Sequence, residues 1–225
     1  MPRRPRGLTG GYVYHVLNRS VARATLFRKE GDYVAFEKVL QEAFEWQPMR
    51  LLSYAVMPNH WHMVVWPRRD GELSEFFRWL TATHTQRWHA HYHTSGTGPL
   101  YQGRFKSFPV QSDEHLLTVC RYVERNALRA KLVKQGEAWR WSSLWRRQQG
   151  DAGWLADWPV SRPATWVKFV NGIETEGELI ELRRCVSRGR PYGTATWTGS
   201  TATRLGLEAS LRAQGRPKKA NPMAK

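Results

Sequence analysis

Apolar residues gather in four short runs along this chain and recur at helical spacing in three longer stretches. Residues 12–17 (Tyr-Val-Tyr-His-Val-Leu) read as a strand. Phe36, Val39, Leu40, Ala43 and Phe44 then repeat every three or four positions between Asp32 and Gln47, as one face of a helix does. Residues 51–57 and 60–66 are two β-compatible runs separated by Pro58-Asn59, a turn pair, and so predict a hairpin. Leu73, Phe76, Phe77, Leu80, His84 and Trp88 mark a second amphipathic helix. Glu72 and Glu75 stand near its start, where the helix dipole favours carboxylates. Residues 105–110 predict a fourth strand, and Leu116, Val119, Cys120, Val123 and Ala127 line a third helix over about residues 113–130. The order β-α-β-β-α-β followed by a helix predicts an α+β fold, a ferredoxin-like antiparallel sheet with helices on one face.

Composition narrows the partner. Across 225 residues, 35 Lys and Arg face 19 Asp and Glu, a formal charge of +16, which is the electrostatic footprint of a polyanion and first of all of nucleic acid. Twelve tryptophans accompany that charge, although core packing accounts for most tryptophans. No apolar run is long enough to span a bilayer and the first residues lead into no signal-peptide core, so a soluble, cytoplasmic, nucleoid-associated protein with no membrane partner is expected. Cys120 and Cys185 form no metal-binding or redox spacing and are expected to be reduced. Beyond about residue 150 the pattern changes: residues 181–225 hold ten Lys and Arg against two Glu, half of the whole excess. This predicts a core over residues 1–150, a helical connector over 151–187 and a basic arm over 188–225.

His60 and His62 stand two apart on the second strand of the hairpin, so their imidazoles project from one face with Trp61 on the other. Such a pair is half of a metal site or merely structural. Tyr122 and Asn126, four apart on the third helix, share a face beside the apolar stripe, where a half-buried packing role is the ordinary one. Chemistry joins the two pairs. A free phenol ionises at about pH 10 and is a poor nucleophile at neutral pH. A metal that neutralises and polarises a phosphodiester supplies the missing electrophilic help. Two imidazoles with an amide oxygen leave positions open for phosphate oxygens, a mixed set that suits Mg²⁺ or Mn²⁺. Attack by tyrosine would give a 5′-phosphotyrosine linkage and a free 3′-hydroxyl, reversible without ATP because the bond energy is kept.

At these residues the chain resembles a known family. Met57-Pro58-Asn59-His60-Trp61-His62 is similar to the His-hydrophobic-His (HUH) motif of single-tyrosine transposases, and Tyr122-Val123-Glu124-Arg125-Asn126 to their tyrosine helix. More narrowly it resembles the REP-associated tyrosine transposases, the domesticated branch that acts on repetitive extragenic palindromes. The likeness extends through His15-Val16-Leu17-Asn18-Arg19, Tyr101-Gln102-Gly103-Arg104-Phe105-Lys106-Ser107 and Trp141-Ser142-Ser143. It continues at Arg188-Gly189-Arg190-Pro191-Tyr192-Gly193 and Gly215-Arg216-Pro217-Lys218-Lys219. The resemblance implies cleavage and rejoining of single-stranded DNA at palindromic hairpins, with Tyr122 as nucleophile and His60, His62 and Asn126 as metal ligands. Ala127 departs from the pattern, which has proline after the asparagine.

DNA contacts are expected at Asn18 and Arg19, at Arg104 and Lys106, at Arg188 and Arg190, and at Arg216, Lys218 and Lys219. Trp141 is a further candidate, to stack on bases or to pin the core. His84, His89, His91 and His93 make a second histidine-rich stretch, read as structural because no acidic or cysteine partner lies nearby. Two other functions fit less well. A non-catalytic single-strand binder leaves the coincidence of histidine pair and tyrosine helix unexplained, and a nickase acting at a plasmid or phage origin fits the short core and single tyrosine helix poorly. Monomer and homodimer both stay open.

Overall fold

In a computed structural model, which describes residues 8–212, a four-stranded antiparallel sheet is held between two layers of helices. The strands are β1 (Val13–Arg19), β2 (Arg50–Met57), β3 (His60–Trp66) and β4 (Lys106–Val110), in the order β2-β3-β1-β4. That is the ferredoxin-like order, and the hairpin turns at Pro58-Asn59 as its sequence predicts.

Helices α1 (Glu30–Trp46) and α2 (Glu72–His91) cover one face. Both are started by a buried carboxylate that collects loose backbone donors. Asp32 accepts from the backbone N–H of Arg28 and Lys29 (2.7 and 3.1 Å), and Glu72 from those of Arg68 and Arg69 (2.5 and 3.2 Å). Their apolar stripes, Phe36, Val39 and Leu40 against Leu73, Phe76, Phe77 and Leu80, close over Tyr14, Val16, Tyr54, Trp61 and Met63 of the sheet. Each such side chain contributes about 1.5–3 kcal/mol by leaving water. Trp61 stacks on Phe77 (5.4 Å between centroids) and donates to the Tyr101 hydroxyl (3.1 Å), which in turn bonds His84 Nδ1 (2.8 Å). His84 is therefore a satisfied core residue, and His89 bonds the Thr94 hydroxyl.

The other face takes the third helix. It breaks in two where the sequence predicted one: α3 (Glu114–Glu124) and α4 (Asn126–Arg129) meet at Arg125. Behind them come α5 (Ser143–Gln148), α6 (Trp166–Asn171), α7 (Glu176–Arg188), α8 (Ala195–Leu205) and the short α9 (Glu208–Leu211). Leu116, Val119, Cys120 and Val123 of α3 pack with Leu144, Trp166, Val170, Leu182 and Cys185 over Val13, Leu52, Ala55 and Phe108. The helices thus cover both faces, because the chain after residue 110 brings an apolar stripe of its own to the face that α1 and α2 leave open. The two cysteines are buried and free.

Residues beyond the sheet also cover its edges. Tyr192 bridges β4 at Val110, and Ser142 and Leu155 bridge β2 at Ala55 and Leu51, so both outer strands have partners. Helices α7 and α8 end on glycines in the left-handed conformation, Gly189 (φ 70°) and Gly206 (φ 63°), a backbone that side chains with a Cβ adopt at a cost. No helix among the described residues is long and apolar enough to cross a membrane.

Candidate active site

Alternation along the strands decides which side chains meet α3. Trp61 and Met63 belong to the α1–α2 core, so His60, His62 and Val64 of β3 turn to the opposite face. In β1 the same rule sends His15 and Leu17 to that side. Leu17 pairs with His62 and His15 with Val64, so His15 and His62 are diagonal neighbours across two strands. Helix α3 crosses above them and lowers Tyr122 onto the pair. Its ring stands edge-on to His62 (5.8 Å) and His15 (6.1 Å), and the His60 and His62 rings are 5.0 Å apart.

The outer nitrogens of both histidines are engaged. His60 Nδ1 lies 2.6 Å from Asn59 Oδ1, while Asn59 Nδ2 donates to the Arg23 carbonyl (3.1 Å). That carbonyl can only accept, so the amide oxygen of Asn59 faces His60 and takes the Nδ1 proton. The Arg23 carbonyl is presented by a turn in which Ala22 and Arg23 are both left-handed (φ 52° and 59°), an uncommon conformation for residues with a Cβ. His62 Nδ1 lies 2.9 Å from His15 Nε2. Burial pushes His15 and His60 down to about 3, and His62 well below its ordinary value; the Arg19 and Arg129 charges add to the effect on His60 and His62. All three rings are neutral at physiological pH, the form in which imidazole binds metals.

Tyr122 is held from below by Arg129, whose guanidinium lies 4.2 Å from the ring centre and donates to the Tyr122 carbonyl (3.1 Å). Arg129 Nη1 also donates to both oxygens of Glu174 (2.9 and 2.8 Å). Arg125 reaches the same Glu174 (3.3 Å) and the Val170 carbonyl (2.8 Å), and Arg121 the carbonyls of Gly172 and Ile173 (3.1 and 2.6 Å). Three arginines spaced by four thus clamp the 170–174 turn to the back of the tyrosine helix. Asn126 opens α4, one turn beyond Tyr122, and is buried with its Nδ2 unpartnered.

A cavity of 610 Å³ opens over this face, lined by Asn18, Arg19, Arg23, His62, Arg104, Lys106 and Tyr122 on the sheet and tyrosine-helix side and by Arg183 and Val186 of α7. Five cations and a phenol around one opening, with neutral imidazole at its floor, suit a phosphodiester backbone. His60 and Asn126 do not line it. As a test of metal fit, His60 has its Nδ1 proton committed to Asn59, which leaves Nε2 as a lone pair, and the neutral donor set suits a divalent cation. Asp113, Glu114 and His115 also cluster, but Asp113 is the cap of α3, accepting from the His115 backbone and ring (2.9 and 2.8 Å). The cluster needs no ion to explain it.

The sequence pattern of a family described as "Transposase IS200 like" matches residues 9–126, more than half of the chain. The protein belongs to the IS200-like transposase family. No curated protein matches it. Among solved structures, that of a REP-associated tyrosine transposase bound to a REP hairpin is 19% identical, covers 73% of this chain and 94% of its own, and has a TM-score of 0.53, which shows the shared fold. Another, from Deinococcus radiodurans R1, is 16% identical, covers 55% and 96% of the two chains and has a TM-score of 0.38.

The transposase disposes of its sequence-predicted DNA residues unevenly. Asn18, Arg19, Arg104 and Lys106 line the cavity. Trp141 does not: it is buried, stacked on Tyr33 (4.8 Å), with Arg140 4.8 Å from its ring, and it belongs to the α1–α2 core. Arg188 donates to the carbonyls of Ser210 and Ala209 (3.0 and 3.2 Å), which braces the last helix onto α7, and Arg190 pairs with Glu181 of α7 (3.3 Å); neither lines the cavity. Arg216, Lys218 and Lys219 lie outside the described residues. Sequence reasoning missed His15, Arg23, Arg129, Arg183 and Val186. Only the spacing of four between Arg121, Arg125 and Arg129 was a readable signal of the clamp.

Proposed function

We propose that this transposase is a metal-dependent endonuclease and strand transferase for single-stranded DNA, cleaving and rejoining at REP-type palindromic hairpins through a 5′-phosphotyrosine intermediate on Tyr122. The observation that carries the reading is the meeting of Tyr122 with the neutral imidazole of His62 at the floor of a cationic cavity, with His60 beside His62 on the same sheet face. The hairpin substrate is supported by the resemblance of the motifs and by the similar fold of the REP-associated tyrosine transposase, which is bound to a REP hairpin.

His60 and His62, with Asn126 as third ligand, would hold Mg²⁺ or Mn²⁺, which supplies charge neutralisation at the scissile phosphate and stabilisation of the leaving 3′ oxygen. The chain's own groups do the rest. Arg19, Arg104 and Lys106 draw the backbone into the cavity. Arg129 fixes the height and tilt of the tyrosine at the edge of the cavity. Because the phosphotyrosine linkage keeps the phosphodiester energy, a second 3′-hydroxyl in the cavity reverses the step onto a new partner.

The test is cleavage of an end-labelled hairpin oligonucleotide with Mg²⁺, Mn²⁺ or EDTA. The reading expects a protein-linked 5′ fragment only with metal. Tight binding with no cleavage under any metal would instead favour a non-catalytic single-strand binder.

A further inference from the structure

The two histidines of the site are oriented by different devices. For His60 the choice is made by Asn59, since the Arg23 carbonyl fixes which end of the amide faces the ring. For His62 the partner is another imidazole, and either ring can donate across the 2.9 Å contact. His15 itself is fully buried and does not line the cavity, so it touches no substrate. Phe108 packs on its ring at 4.8 Å, and its Nδ1 is buried with no partner at all.

Two arrangements are open to the pair. In one, His15 Nε2–H donates to His62 Nδ1, which puts the His62 proton on Nε2 and leaves His15 Nδ1 as a bare lone pair. In the other, His62 Nδ1–H donates to His15 Nε2, His62 Nε2 becomes a lone pair, and His15 Nδ1 carries an N–H with no acceptor. Going from the first to the second moves one proton from His62 Nδ1's partner onto His62 Nδ1 and one from His62 Nε2 to His15 Nδ1, with none gained or lost overall. An unpartnered buried donor is unfavourable, so the second arrangement needs something that rewards a free lone pair on His62 Nε2.

Resting on the metal reading above, we propose that His15 is a positioning residue for His62: its Nε2 takes the His62 Nδ1 proton, aims the ring, and turns His62 Nε2 into a metal ligand when the cation arrives. Outer-sphere partners of ligating histidines fix tautomer and orientation, and their loss lowers metal affinity by about 10–100-fold. A glutamine at this position offers a side-chain oxygen for the same proton, whereas phenylalanine fills the space and offers nothing.

The experiment measures Mn²⁺ affinity of the full chain by electron paramagnetic resonance for wild type, His15→Gln, His15→Phe and His62→Ala. It adds ¹⁵N-histidine spectra of wild type without and with saturating Mg²⁺. The expected result is affinity lowered about 10–100-fold in His15→Phe, recovered in His15→Gln, and abolished in His62→Ala, with a Mg²⁺-dependent move of the His62 proton to Nδ1. Wild-type affinity in His15→Phe, with binding lost in His62→Ala, overturns the role of His15 and leaves the metal site standing. Unchanged affinity in His62→Ala overturns the metal reading itself. If His15→Phe does not fold, the wild-type spectra decide: a His62 proton that stays on Nε2 in saturating Mg²⁺ contradicts the proposal.

Discussion

Removing the charge that holds the tyrosine from behind tests the clamp on the 170–174 turn. Arg129 donates to both oxygens of Glu174, donates to the Tyr122 carbonyl and lies against its ring, while Glu174 is also shared with Arg125. The Arg129 and Glu174 side chains are 20% and 7% exposed, so the pair is more than a surface bridge and less than a fully buried one. Breaking a buried pair costs about 3–5 kcal/mol, and partial exposure of Arg129 brings the expectation to about 2–4 kcal/mol for Arg129→Met or Glu174→Gln alone. Because both changes remove the same bonds, the double variant should fall short of the sum by about 1–3 kcal/mol. Urea unfolding of the four proteins gives this coupling energy. Formation of the protein–DNA adduct, measured under conditions where all four are folded, should slow about 10–100-fold in Arg129→Met through misplacement of Tyr122. Additive stabilities together with a wild-type adduct rate would refute the idea that this turn positions the tyrosine.

Three further outcomes follow from buried and cavity-lining groups. Glu124 is buried among Ser143, Trp166 and Ser53, which donate to it (2.5, 2.6 and 3.3 Å), and burial raises its carboxyl above the ordinary range despite those bonds. A raised carboxyl holds its proton longer folded than unfolded, so its contribution is full below about pH 4.5 and falls by about 1.4 kcal/mol per pH unit until the folded value is passed; Glu124→Gln should therefore gain on wild type as pH rises from 5 to 7, and parallel urea midpoints at the two pH values would contradict this. Trp141→Ala should cost about 3–5 kcal/mol in unfolding experiments yet leave single-strand affinity unchanged where the variant is folded, and a large loss of affinity would return Trp141 to the DNA surface. Exchanging Arg104 and Lys106 for Gln should flatten the log–log salt dependence of single-strand binding by about 1.4, and an unchanged slope would remove both from the phosphate path.

Much of the fold was legible because the patterns that encode it are local. The period-2 run around Trp61 and the turn at Pro58-Asn59 fixed both the hairpin and the face on which His60 and His62 lie, and the stripe Leu116, Val119, Val123 placed Tyr122 on its helix. What stayed hidden depends on contacts between distant segments. His15 reads as one more residue of an apolar strand until the register with β3 brings it to His62. Glu174 sits in a turn of no marked pattern, yet it receives two arginines from the tyrosine helix. Charge was the least specific guide: Arg188 and Arg190, counted toward a DNA-gripping arm, also make contacts within the chain, Arg188 to the carbonyls of Ser210 and Ala209 and Arg190 to Glu181. A sequence gives the sign of a charge but not the acceptor that the fold supplies.

The central claim is that Tyr122 becomes covalently joined to DNA. Wild type and Tyr122→Phe, incubated with a hairpin-containing single strand and Mg²⁺ or Mn²⁺, then digested and examined by mass spectrometry, test it directly. The account predicts a nucleotide attached through its 5′ phosphate to the peptide containing Tyr122 in wild type, and no adduct in Tyr122→Phe. An adduct on another residue, or one that persists unchanged in Tyr122→Phe, would contradict it.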